Sequence, residues 1–190
     1  MGLLDVLLGR KRLKEARRED LFALTTAAVT LDVELGLRPA GRAGVCFKPL
    51  SAGDFARVDD EATQLVDALA AEAGTRVRRK RDDFGFEWVV VEDRELEDLV
   101  TAVHAVAQEL AAQGFGSQLL AALFRFDGRD GSTVYFVYGY KRGAWWPFVP
   151  TGHEQERDNA KELELKAKLE GELPIEQDLT RWFALFDAPV

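Results

Sequence analysis

Histidine and cysteine are the side chains that most readily do chemistry, and this chain has only His104, His153 and Cys46. His153-Glu154-Gln155-Glu156-Arg157 begins like a zinc-protease helix. That chemistry needs two imidazoles one turn apart with a carboxylate between them, and Arg157 stands where the second belongs. His153 therefore reads as part of a helix start. Gly36-Leu37-Arg38-Pro39-Ala40-Gly41-Arg42-Ala43 has the outline of a phosphate loop, but it lacks the lysine for the phosphates and the hydroxyl for magnesium. A turn containing proline and glycine explains it better. Asp82-Asp83, Asp127 and Asp130 do not supply the alternate oxygens and late glutamate of a calcium loop; with their neighbouring glycines they read as hairpin turns. Ser51, Ser117 and Ser132 have no nucleophile elbow around them and no evident base. His104 beside Val103 reads as a partly buried, hydrogen-bonded histidine, and Cys46 between Val45 and Phe47 as a small hydrophobe. No catalytic residue, metal ligand set or cofactor site emerges, and an active site assembled from distant positions is the enzymatic reading left open.

Composition narrows the rest. The 190 residues are most simply one domain, and 47% hydrophobic content is enough for a proper core. A formal charge of −8 argues against nucleic acid, whose binding requires a cationic surface. One cysteine excludes an internal disulfide and suits a reducing compartment. No apolar run reaches the ~18 residues of a membrane span. The N-terminus places its apolar residues before its basic ones, the reverse of a secretory signal. The expected location is cytoplasmic, at most peripheral to the inner face of the membrane. Residues 1–18 carry six basic side chains against Asp5 and Glu15, a net of +4 that leaves −12 for the remainder. In this arm Leu3, Leu4, Leu7 and Leu8 share one side of a helix, followed by Arg10, Lys11 and Arg12. The chain divides into the arm, 1–18, and one domain, 19–190.

Periodicity supplies the elements. Asp20 to Leu35 reads as one or two helical pieces closed by Gly36, although the β-branched run from Val29 to Val33 leaves a strand possible there. A short strand covers Gly44 to Phe47. Phe55, Val58, Ala62, Leu65 and Leu69 mark an amphipathic helix. Thr75 to Arg81 and Phe84 to Val91 form a hairpin around Asp82-Asp83. Helical spacing returns at Leu96, Leu99, Val103, Val106 and Leu110, stopped by Gly114 and Gly116. Leu119 to Phe126 and Ser132 to Tyr140 make a second hairpin, and Lys141-Arg142-Gly143 turns into a strand from Ala144 to Val149. A charged helix covers Glu154 to Gly171, and a last short helix follows Asp178 as its N-cap. Hairpins between separated helices imply an α+β class with a mainly antiparallel sheet in a single domain. The element order is similar to that of the secretion-chaperone and YbjN folds, an analogy that carries no function by itself.

Lys141-Arg142-Gly143, Pro147-Phe148-Val149-Pro150-Thr151-Gly152, Arg157-Asp158-Asn159-Ala160 and Glu162-Leu163-Glu164-Leu165 form a distinctive string. With Asp178-Leu179-Thr180-Arg181-Trp182-Phe183 and Met1-Gly2-Leu3-Leu4-Asp5, it resembles the actinobacterial PspA-associated family PspAB. The resemblance implies a role in phage-shock envelope stress through a protein partner, PspA or another stress protein, with no catalytic residue to carry over. A chaperone-like module for a helical client is the second reading, and an enzyme the third. Three surfaces are the candidate contacts. The arm docks on an anionic membrane surface or on a partner, or packs on its own domain. Arg76, Arg78 and Lys80 share one face of a strand, where they either guard an edge or meet an acidic partner. Trp145 and Trp146 point oppositely and either pack through both sheet faces or sit on a recognition surface rimmed by Lys141 and Arg142. No oligomeric state is specified.

Overall fold

The computed structural model describes residues 18–48, 75–153 and 155–190. A 3-10 turn (Arg18–Phe22), α1 (Ala23–Thr26) and α2 (Ala28–Val33) lead into β1 (Leu37–Phe47). The hairpin β2 (Arg76–Arg81) and β3 (Glu87–Glu92) precedes α3 (Leu96–Leu110). A meander of β4 (Leu119–Gly128), β5 (Thr133–Gly139) and β6 (Ala144–Phe148) is followed by α4 (Asn159–Leu169) and a 3-10 turn at Leu179–Arg181. The six strands form one sheet in the order β2-β3-β1-β4-β5-β6, each neighbouring pair antiparallel. The protein is an α+β domain, as hairpin-joined strands between separated helices require.

Registered partners share a face and alternate residues change face, so the pairing sorts the side chains. Val45, Val89, Ala122, Tyr138 and Trp145 lie on one side. This side is covered by α3, which packs across β1, β3 and β4 through Leu96, Leu99, Val100, Val103, Val106 and Leu110. The N-terminal turn closes its far end, where Trp145 Nε1 donates to Asp20 O at 3.1 Å. On the opposite side lie Cys46, Trp88, Ala121, Leu123, Val137, Gly139, Ala144 and Trp146. Here the cover is the irregular C-terminal segment 183–190. Phe186 packs edge-on against Phe148, Val190 lies over Gly44, and Tyr135 Oη donates to Val190 O at 3.2 Å. We call the two sides the helix face and the strap face.

The element readings from sequence hold for the helical pieces before Gly36, both hairpins, α3 and the final N-cap, where Asp178 Oδ1 accepts from Thr180 N. The β-branched run at 29–33 is helical. The Gly36–Ala43 reading as a turn is corrected: these residues, from Leu37 on, belong to β1. Pro39 is tolerated there because the first residues of β1 pair with β4 only, β3 joining at Arg42, so its missing N–H lies on a free side. The register shifts between Pro39 and Ala43, where Gly41 at φ 72° brings its backbone against Asp93 O. The helix start at His153 is also corrected. A loop lies ahead of α4, where Asp158 N donates to Val149 O and Thr151 N to Glu156 O, and α4 begins after its N-cap Asp158. The turn between β2 and β3 is built by one carboxylate: Asp82 Oδ1 accepts from Phe84 N and Phe86 N, and Oδ2 from Trp88 Nε1. The arm before Arg18 and the helix expected over Phe55 to Leu69 lie outside the described residues.

Candidate functional site

Across the strap face, Cys46 pairs with Ala121, Ala121 with Gly139, and Gly139 with Ala144. Four small side chains in one cross-strand row leave a trough where larger ones would fill the space. The groove over it measures about 640 Å³, within the ~300–1,000 Å³ of ligand sites. Its walls are Phe86, Leu120, Trp146 and the strap residues Phe183, Ala184 and Leu185. Gly139 is required for one wall, because a Cβ there would stand 2.8 Å from the Trp146 ring. Phe183 is 65% exposed and meets the Trp146 ring edge-on, with centroids 6.4 Å apart. The Cys46 thiol, pushed well above its ordinary pKa by burial and then by the Asp82 charge, stays a neutral hydrophobe in the floor.

The rim is mainly cationic. Lys141, Arg142 and Arg181 stand at one end, and Lys48 lies over the Phe86 ring at 5.5 Å at the other. Arg142 faces Glu176 at 3.5 Å and Arg181 faces Asp178 at 2.9 Å, whereas Lys141 makes no ion pair among the described residues.

Two polar clusters elsewhere test the enzymatic reading. Lys161 Nζ donates to Ser132 Oγ at 2.6 Å, a serine–lysine approach that the sequence did not reveal. A lysine acting as base must be neutral, but Lys161 also holds the Asp130 carboxylate at 2.5 Å, and Asp130 accepts from Ser132 Oγ at 2.6 Å. The lysine is thus engaged by a carboxylate as well as the hydroxyl, and the cluster ties α4 to the β4–β5 turn. The other is a cavity of about 140 Å³ beside Arg157 and Glu162, which are paired with one another and bonded to backbone. No group of three or more histidines, cysteines or carboxylates among the described residues is placed to hold a metal.

The whole chain, residues 1–190, matches the family PspA associated protein B. It belongs to that family. Searches of curated proteins and of solved structures return no match. Membership links the chain to PspA, and the PspA-associated string now has a structural meaning. Glu162, 2% exposed, accepts from Val149 N and Arg157 Nε, both at 2.9 Å. Arg157 in turn donates to Trp182 O at 2.8 Å and lies 5.4 Å over the Phe148 ring. Trp182 Nε1 donates to Glu176 O at 2.9 Å, and Trp146 Nε1 to Phe183 O at 3.2 Å. The Arg-Asp-Asn block of this PspA-associated protein is therefore a clamp joining β6, α4 and the strap, and it positions the groove wall.

The candidate contact residues separate accordingly. Trp145 is fully buried under the N-terminal turn, which corrects its assignment to a recognition surface: two-sided packing claims it for the core. Trp146 is 6% exposed, and its ring forms groove wall. Lys141 and Arg142 stand on the rim. Arg76, Arg78 and Lys80 share the strap face on the outermost strand, opposite Glu92, Val90 and Trp88. Leu3, Leu4, Leu7, Leu8, Arg10, Lys11 and Arg12 lie outside the described residues. Sequence reading missed the small-residue row and the strap. The signal for the row was Gly139 inside an aromatic strand and Ala144 before two tryptophans, but only the strand register brings them together.

Proposed function

We propose that this protein acts without catalysis as an adaptor of the PspA stress system, taking an apolar helical segment with acidic flanks from PspA into its groove. The open, apolar, basic-rimmed groove carries this reading. It crosses β1, β4, β5 and β6, with Phe86 at its β1 end, and three strand spacings of ~4.8 Å give ~14 Å, which a helix covers in ~10 residues. Burial of the helix's apolar stripe against Trp146, Phe86 and Leu185 supplies the affinity, and carboxylates beside that stripe meet Lys141, Arg142 and Arg181. Membership of a family named for its association with PspA supports PspA as the partner.

The test is calorimetry of purified PspA with the wild-type protein and with Ala121→Phe, which fills the trough from its floor. Affinity should fall at least about tenfold while thermal stability holds. Unchanged affinity sinks the groove reading. The exposed Phe183 beside Trp146 also favours a chaperone-like use of the same trough, for a helical client. In that case only the unfolded or newly made partner binds, and native PspA does not.

The arm of residues 1–18 serves, in this proposal, as a reversible attachment to anionic lipid on the cytoplasmic side, its leucines dipping in and its basic run meeting headgroups. No helix among the described residues is long and apolar enough to cross a membrane. Equal sedimentation with phosphatidylglycerol vesicles by the full chain and by a chain lacking residues 1–17 overturns the attachment.

A further inference from the structure

The sheet ends in two edges of opposite design. The β6 edge is capped by its own chain: Trp145 N donates to Pro174 O at 2.9 Å and Glu176 N to Trp145 O at 2.8 Å. At the other end, no chain among the described residues pairs with the outer edge of β2. Five of the six residues of β2 are cationic. On its inner side Arg78 engages Glu92 at 2.6 Å, and Arg79 engages the buried Glu87 at 3.1 Å. Arg76 and Lys80 are exposed and make no ion pair among the described residues.

We propose that the outer edge of β2 is a second docking surface, which adds an acidic extended segment of a partner protein as a seventh strand. A second copy of this chain is a poor occupant, since two such edges would set cations opposite cations along their whole length. Lipid is also a poor occupant, because a strand edge presents alternating N–H and C=O groups and a phosphate oxygen can only accept. A peptide strand satisfies both kinds of group, and its carboxylates meet Arg76 and Lys80 across the strands. Six residues at ~3.3 Å each present an edge of ~20 Å, so a segment of about six or seven residues fills it. This surface is independent of the groove.

The probe is a seven-residue peptide of alternating glutamate and valine, added to the full chain at low salt. Hydrogen exchange at the outward-facing amides of residues 76–81 should slow at least about tenfold, with the protection weakening as salt is raised. The double variant Arg76→Glu, Lys80→Glu should lose the acidic peptide by about tenfold or more and bind the lysine–valine counterpart instead. Unaltered exchange along β2, or equal binding of the acidic peptide by the double variant, overturns the proposal. So does protection that depends on Arg76 and Lys80 with phosphatidylglycerol vesicles but not with the peptide.

Discussion

The helix face and the strap face are made from alternate residues of the same strands, yet one is sealed and the other is open. On the helix face Tyr138, Phe124 and Trp145 are fully buried, and the Trp145 ring meets those of Tyr138 and Phe124 at centroid distances of 5.1 and 5.8 Å, beneath elements whose backbone bonds are satisfied internally. On the strap face the corresponding row is Cys46, Ala121, Gly139 and Ala144, and its cover is a segment without regular structure, held by a few bonds from Trp146, Tyr135 and Arg157. Sequence period alone would make the faces equivalent, since β5 is apolar on both. Side-chain volume makes the difference. A sheet keeps a groove by withholding bulk at four registered positions and leaving the wall to a segment that a clamp must hold.

The adjacent tryptophans offer the sharpest way to break this contrast. Trp145→Ala should cost about 3–5 kcal/mol of unfolding free energy, because it opens a cavity in the sealed face. Trp146→Ala should cost less, about 1–3 kcal/mol, because its ring borders open space on one side. Partner affinity should respond in the reverse order. Urea unfolding paired with calorimetry on PspA checks both, and equal stability losses from the two variants would remove the distinction between the faces.

Next in size is the clamp. Glu162→Gln keeps the shape but removes the charge that pairs with Arg157, leaving a mostly buried guanidinium short of its anion. Hydrogen bonds to a charged group set the scale, about 2–3 kcal/mol. The loss should appear first as faster amide exchange in residues 182–186, with α3 unaffected. Uniform acceleration across both faces would show that the clamp serves the whole fold and not the groove wall.

What could be read in advance followed from local rules. The period of α3, the glycines that stop it, and the apolar double face of β5 are each written within a dozen residues. Asp178 as a cap and the edge charges of β2 belong with them. The boundary errors have a common cause: proline, glycine and charge were read as turn or helix signals where tertiary partners decided otherwise. Pro39 lies in a strand because β3 does not reach it, and α4 starts late because Val149 and Asp158 close a loop ahead of it. The groove was illegible for a different reason. Its floor comes from four strands and its wall from the last residues of the chain, so its existence depends on register. Lys141 and Arg142, which sit in one turn, were singled out from sequence as a rim, whereas Arg181, which lines the same groove, was not.

The smallest expected effect concerns acid. Asp130 is held well below the usual carboxylate range first by the hydrogen bond from Lys161 and then by those from Ser132; Asp32 is lowered in the same way by Arg38 and then Arg129. A carboxylate with a depressed folded pKa stabilises the fold fully above its unfolded value, ~3.9, and that contribution disappears as pH falls through the folded value. Stability from these groups should therefore be level between about pH 5 and 7 and decline below about pH 4. Both carboxylates are exposed, so the decline is shallow and shrinks further with salt. Asp130→Asn separates their effects, because Asp130 fastens α4, the helix that carries the clamp, to the β4–β5 turn. The variant should be slightly less stable than wild type at pH 7 and converge with it toward pH 2, with exchange in the strap rising before exchange in α3. A gap that widens on acidification would mean that the carboxylate is not held as an anion by Lys161. The strap face would then have to owe its cover to contacts other than this chain of charges.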